Sequence, residues 1–193
     1  MAIAAVSGAR PPGDEPMTDA DLVARAIAGE RQAFEELVNR HHAACLRYAA
    51  HALGDATEAE DVVQETLIRA HRSLDRYEER QQFRAWLFRI LVNRCRTASA
   101  RNGSRRRRDD QASDAATRTT PDAADAIDLR SRLVRALSGL DAVHREAFLL
   151  KLGEGLEYEE IARMTGASVP ALKMRVKRAR DHVRARWEET GDD

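Results

Sequence analysis

Glu157 to Arg186 leave few folds open: within these thirty residues a short helix, a glycine turn and a long basic helix follow one another. Ser168 suits the cap of the second helix. Pro170 fits its first turn, where backbone N–H groups lack helical partners anyway. Val169, Leu172, Val176, Ala179 and Val183 then recur at gaps of 3, 4, 3 and 4, an unbroken apolar stripe. The remaining faces carry Lys173, Arg175, Lys177, Arg178 and Arg180. Tyr158 to Met164 forms the preceding helix with Ile161 and Ala162 inward, and Gly166 sits in the turn. This is the pattern of a helix-turn-helix whose second helix lies in a major groove. A merely solvated basic face would explain the charges but not the agreement of cap, turn and stripe.

Charge balance hides segregation. Lys+Arg and Asp+Glu are both 32, so net charge says nothing about partners. Locally, Arg84 to Arg108 holds nine arginines and no acid, whereas Asp55 to Glu65 holds five acids and no base. Two basic surfaces and one acidic helix suit nucleic acid on one side and a basic protein on the other. Aromatic residues are scarce and strand-like alternation is absent, so an all-α class of one or two small domains is expected.

Cys45 and Cys95 are far apart and fall within apolar helical patterns, where a buried inert thiol is the default. His41, His42 and Cys45 share helical spacing but too few ligands for a metal site. No metal or other cofactor is implied. No apolar run is long enough to cross a membrane, and the Ala-rich start lacks the features of a secretion signal. A cytoplasmic protein without direct membrane insertion is expected.

The chain divides into four parts. Residues 1–17 are small, Pro/Gly-rich and aperiodic, and read as a disordered tail. Residues 18–101 read as a helical domain. In it Thr18 and Asp21 form a capping box for a helix to Ala28, and Phe34 to Ala52 trace a long amphipathic helix ended by Gly54. Thr57 and Glu60 suggest a second capping box, for a helix to about Leu74. Asp75 to Gln82 is a polar loop. The helix from Phe83 to about Arg101 carries Phe83, Trp86, Leu87, Ile90 and Leu91 as its apolar residues. Residues 102–126 lose periodicity and read as a flexible linker that spans about 80 Å at full extension. Residues 127–188 read as a second helical domain, with Leu129, Leu133, Leu137 and Leu140 inward, a helix from Asp141 to Leu152, and the helix-turn-helix.

These residues carry a family resemblance. Asp61 to Leu74 (DVVQETLIRAHRSL) followed by Phe83 to Asn93 (FRAWLFRILVN) resembles sigma region 2. Leu137, Leu140 and Asp141, then Arg145 to Leu150 (REAFLL), Tyr158 to Ala162 (YEEIA) and Leu172 to Arg180 (LKMRVKRAR) resemble region 4. The pair, in that order across a polar linker, is similar to the bacterial sigma-70 family, group IV, the extracytoplasmic-function (ECF) sigma factors. The resemblance spans about residues 18–187.

The resemblance implies roles. Asp61, Gln64 and Glu65 correspond to the family's contact with the β′ clamp helices of core RNA polymerase, whose β subunit is also a partner. An acidic helix against a basic coiled coil gives steering and orientation more than raw affinity. Acids in a first helical turn also suit the helix dipole, which accounts for part of the bias at Glu58 and Glu60. Promoter DNA at −10 would meet Arg76, Arg80, Gln81 and Gln82 of the loop and Arg89, Asn93, Arg94 and Arg96 of the helix. A base read during melting must leave the stack and enter a protein pocket. Trp86, at helical spacing with Phe83 and Ile90, reads as core rather than as a stacking platform. At −35, Lys173, Met174 and Lys177 would face base edges and Arg175 and Arg178 phosphates. The chain departs from the family at Glu79, where many relatives have glycine, and at Met174, where a small polar residue is commoner. An anti-sigma factor is a further expected partner.

Two other classes compete. A stand-alone helix-turn-helix regulator, usually a dimer whose first domain senses a ligand, would bind specific duplex DNA without polymerase. A nucleic-acid enzyme would need a ligand or nucleophile constellation, and no such grouping is apparent in the sequence.

Overall fold

Several helices start or stop where the chain supplies a cap. The computed structural model describes residues 17–78, 82–109, 133, 135–137 and 139–189. Helix α1 (Asp19–Ile27) opens on the Thr18–Asp21 capping box that the sequence predicts. Helix α2 (Arg31–Leu53) ends at Gly54, whose φ of 73° is the left-handed conformation that favours glycine. Helix α3 (Ala56–Arg72) is capped by Asp55, whose carboxylate accepts from the Glu58 N–H. Thr57, expected as the cap, already lies inside the helix. Asp55 takes the role because it sits in extended backbone one residue before the first helical turn. A single 3₁₀ turn (Leu74–Arg76) follows.

Helix α4 (Phe83–Asp109) runs past Arg101, where loss of apolar periodicity suggested that it stops. A helix needs no apolar stripe to continue. Arg105–Arg108 are good helix formers, and one glycine at 103 costs only about 1 kcal/mol. The expected linker beyond residue 109, together with Ile127 and Leu129, lies outside the described residues, as does the tail over residues 1–16.

Helices α1 to α4 pack around one apolar seam. Leu37, Cys45 and Tyr48 of α2, Val63 of α3, and Leu87, Phe88 and Leu91 of α4 are all essentially inaccessible. The Phe88 ring meets Tyr48 edge-on at 5.7 Å. Thr66 is buried among them and donates its hydroxyl to the Val62 carbonyl at 2.7 Å, so it leaves no unmet polar group. Burial pushes both cysteine thiols up to about 12, so Cys45 and Cys95 are inert thiols of the core.

In the C-terminal half, Leu133 is half-buried and Leu137 and Leu140 buried, ahead of helix α5 (Ala142–Phe148), which Asp141 caps. Arg145 donates to the Leu137 and Leu140 carbonyls at 3.2 and 2.9 Å, satisfying the end of the preceding turn. The expected helix to Leu152 is not uniform. From Leu149 to Gly153 it widens into a π turn, with Glu154 N–H bonding back to Leu149 O at 2.9 Å. Helices α6 (Tyr158–Thr165) and α7 (Val169–Glu189) then form the helix-turn-helix about Gly166, at φ 73°. No strand occurs among the described residues.

The two capping candidates of α3 separate by mutation. Asp55→Ala is expected to cost about 1 kcal/mol, the usual worth of an N-cap. Thr57→Ala, at an exposed first-turn position, should stay within about 0.5 kcal/mol. Urea unfolding of both variants measures the difference, and equal losses would return the cap to Thr57.

Candidate nucleic-acid and partner interfaces

The helix-turn-helix presents its cations as its core dictates. Leu172, Val176 and Ala179 of α7 are buried against the rest of the unit, with Val169 and Val183 half-buried at the ends. Ser168 Oγ accepts from the Ala171 N–H at 3.4 Å, a long cap contact. Lys173, Lys177 and Arg178 are consequently exposed, and Met174 is 50% exposed, high for a large apolar side chain. Arg175 differs from the other four: it is half-buried, turned toward the flank of the helix. One feature escaped the sequence reading. Lys173 Nζ lies 5.7 Å from the centre of the Tyr158 ring, which Lys151 also approaches at 5.0 Å. A cation over an aromatic face loses freedom, so Tyr158 restrains Lys173. An aromatic at the first position of α6 was the available signal.

The second site lies where the 3₁₀ turn meets α4. A cavity of about 270 Å³ is lined by Ser73, Arg76, Glu78, Trp86, Arg89, Ile90 and Asn93. On α4, Trp86, Arg89, Ile90 and Asn93 follow the 3-4 spacing of one helical stripe, opposite the buried Leu87, Phe88 and Leu91. Trp86 is half-buried: its ring packs against Tyr77 at 5.4 Å and Phe83 at 5.6 Å while it also walls the cavity. The alternative of core or platform was therefore too sharp. The cavity offers two guanidiniums, an amide, a hydroxyl and one carboxylate around an indole. Its volume is near the lower end of small-ligand clefts, about 300 Å³.

Of the residues proposed for −10, Arg76, Arg89 and Asn93 come together here. Gln82 is exposed beside the start of α4, its carbonyl accepting from the Trp86 N–H. Arg80 and Gln81, with Glu79, lie outside the described residues. Arg94 and Arg96 point elsewhere. Arg94 pairs with Glu65, and Arg96 makes a two-pronged pair with Glu146 of α5, both contacts at 2.7 Å. Ser73 and Glu78 were missed because neither fits a periodic pattern.

The acidic face of α3 is split in the same way. Asp61 and Gln64 are exposed. Glu65 is partly shielded, and hydrogen bonds from Arg69 and then Arg94 hold its carboxyl below the usual range. Its charge is largely answered within the chain.

His41, weighed as a metal ligand, instead bonds Asp19 through Nε2 at 2.6 Å. Among the described residues no group of three or more His, Cys, Asp or Glu is placed to hold a metal ion. Among them, too, no helix is long and apolar enough to cross a membrane.

Comparison with known proteins bears on both sites. The model of sigma-70 region 2 matches residues 37–105 and that of sigma-70 region 4 matches residues 130–183. The chain is 34% identical to the RNA polymerase sigma factor CnrH of Cupriavidus metallidurans, over 86% of this chain and 94% of that protein. It is 33% identical to the ECF RNA polymerase sigma-E factor of Escherichia coli, over 88% and 94%. The structure of CnrH in complex with the cytosolic domain of CnrY superposes with a TM-score of 0.66 at 33% identity, covering 86% of this chain and 95% of that one. That of the sigma factor RpoE with the anti-sigma factor NepR from Bartonella quintana gives 0.70 at 28%, covering 80% and 96%. With both regions matched in order and relatives aligned almost end to end, the chain belongs to the sigma-70 family, as an ECF sigma factor, a transcription-initiation factor and not an enzyme.

Proposed function

We propose that this chain binds core RNA polymerase in the cytoplasm and directs it to promoters whose −10 and −35 elements it reads with separate halves. The chain from residue 18 through α4 acts as region 2, the segment after α4 as the linker and residues 127–188 as region 4. The observation that carries the reading is the cavity where Arg76, Arg89, Asn93 and Trp86 converge. A base extruded from the duplex needs an aromatic or apolar wall, polar groups for its edge and cations for the flanking phosphates. Trp86 and Ile90 supply the wall, Asn93 and Glu78 the edge contacts, Arg76 and Arg89 the charge.

Lys173, Met174 and Lys177 read the −35 duplex, since groove-facing residues early in a recognition helix reach base edges. Arg178 meets phosphate, with Arg175 contributing from the flank. Asp61 and Gln64 form the polymerase-facing patch, with Glu65 oriented at its border by Arg94. An anti-sigma partner is supported by the two structural neighbours solved with CnrY and NepR. A stand-alone regulator, sensing a ligand with its N-terminal half, would leave the exposed face of Asp61 and Gln64 without a task.

Alanine at Arg89 and Asn93, both exposed on α4, should leave the fold intact and slow promoter opening roughly tenfold, the scale of one lost base contact. A template already melted at −10 should recover most of the run-off transcript. A full-size defect on that template would remove these residues from strand opening.

Placing positive charge on the acidic patch gives a second expectation. Asp61→Lys with Gln64→Lys should lose competition for core polymerase against another sigma factor without altering the melting temperature. Unchanged competition would count against the surface.

The recognition helix gives a third. Arg178→Ala should weaken all promoters and flatten the salt dependence by about one charge. Lys173→Ala and Lys177→Ala should change which −35 sequences a randomised library returns. Identical preferred sequences for wild type and both lysine variants would refute the base-reading assignment.

A further inference from the structure

A lysine reads bases poorly unless something holds it. Its ammonium is a compact charge on a flexible four-carbon stem, so a free one sweeps its donors over a wide arc. Lys173 and Lys177, one turn apart on α7, are both exposed, yet they differ in this respect. Lys173 Nζ lies 5.7 Å from the centre of the Tyr158 ring. Among the described residues Lys177 makes no ring contact. Tyr158 is itself anchored: it opens α6, is half-buried and packs on the core.

The charges around the ring favour this contact over an ion pair. Acids cluster at the start of α6, and a carboxylate would take the donors that a base needs. Glu157, however, is held by Lys151 at 3.0 Å, and the Glu160 carboxylate accepts the Glu157 N–H at 2.8 Å. Among the described residues Lys173 pairs with no carboxylate. Lys151 also approaches the Tyr158 ring, at 5.0 Å, so the two ammoniums are no more than about 11 Å apart, roughly one Debye length at 0.1 M salt. Their repulsion opposes movement of Lys173 toward Glu157. A ring face attracts an ammonium through its quadrupole and, unlike a carboxylate, leaves most of its hydrogen-bonding capacity free.

We propose that Tyr158 is a positioning residue for −35 recognition: its ring holds the Lys173 ammonium in one pose and so sharpens preference at the base pair that Lys173 reads. In the major groove an ammonium finds acceptors at guanine O6 and N7, adenine N7 and thymine O4. A wandering lysine satisfies itself at any of them, whereas a held one favours the acceptor that its pose reaches. This role rests on the base reading assigned to Lys173 above; the ring contact does not.

Holoenzyme selecting from a library randomised at −35 tests this, with Lys173→Ala and Lys177→Ala marking the base pair that each lysine reads. Tyr158→Phe keeps the ring and should keep the wild-type preferences. Tyr158→Leu should lower discrimination at the Lys173 base pair about two- to fivefold, the worth of an exposed cation–π contact. Pentafluorophenylalanine in place of Tyr158 keeps the ring's shape but reverses its quadrupole, and should act like leucine. The Lys177 base pair should be untouched, and Tyr158→Leu should add nothing to Lys173→Ala. In the free full-length chain, NMR should find the Lys173 methylene protons nearest the ammonium shifted upfield by the ring, a shift that Tyr158→Leu abolishes. Loss of preference in Tyr158→Phe would mean that the hydroxyl acts, and wild-type behaviour of the fluorinated ring that only shape matters; either overturns the proposal. Equal loss at both lysine base pairs also overturns it, as displacement of the whole helix. An unchanged preference in Tyr158→Leu, beside an altered one in Lys173→Ala, overturns the role of Tyr158 alone. If Lys173→Ala itself changes nothing, the base reading fails and takes this role with it, while the upfield shift still reports the contact.

Discussion

Everything in the N-terminal half depends on how α4 divides its faces. Phe83, Leu87, Phe88, Leu91, Val92 and Cys95 are driven into the seam with α2 and α3, because burying a large apolar side chain is worth roughly 1.5–3 kcal/mol. Once that face is committed, helical geometry leaves no freedom for the others. Trp86, Arg89, Ile90 and Asn93 must line the opposite stripe, where they meet Arg76 and Ser73 from the adjoining turn. Arg94 and Arg96 fall on the flanks, within reach of α3 and α5. One packing decision thus gives Arg89, Arg94 and Arg96 of a basic helix different tasks.

The same economy explains a neutral protein with strongly charged parts. Glu65 is answered by Arg69 and Arg94, Glu146 by Arg96, and Glu154 by Arg47 and Arg84. Apart from Arg69–Glu65, which lies within α3, these pairs tie separate segments together, and all of them remove charge from the surface available to partners. Of the residues the sequence assigns to partners, those that remain exposed are Asp61 and Gln64 on α3, Arg76, Gln82, Arg89, Asn93 and Arg96 in the turn, before α4 and on it, and Lys173, Met174, Lys177 and Arg178 on α7.

Local signals were read well from the sequence. The Thr18 capping box, the stops at Gly54 and Gly166, and the stripe from Val169 to Val183 each depend on residues within a turn or two. Asp55 and Thr57 were confused because both residue types cap helices and only the backbone chooses between them. The end of α4 was misplaced because arginine continues a helix without leaving an apolar mark. The π turn at Leu149–Gly153 has no periodic signature at all. Tertiary partners were beyond reach for a different reason. Arg94 finds Glu65 across 29 residues, Arg96 finds Glu146 across 50, and Arg47 finds Glu154 across 107. No pattern along the chain encodes such distances.

The state of the two cysteines carries a practical consequence. A thiol held near 12 has almost no thiolate at neutral pH, and the thiolate is the nucleophile. The folded protein should therefore be silent to alkylating reagents, and modification would proceed only through openings of the seam. Both lie in the buried core, and Cys95 also borders a cavity of about 400 Å³ lined by Tyr48, Ala52 and Ala142. Their relative labelling rates would act as a built-in clock, one hand timing the loosening of the core and the other the opening of that cavity.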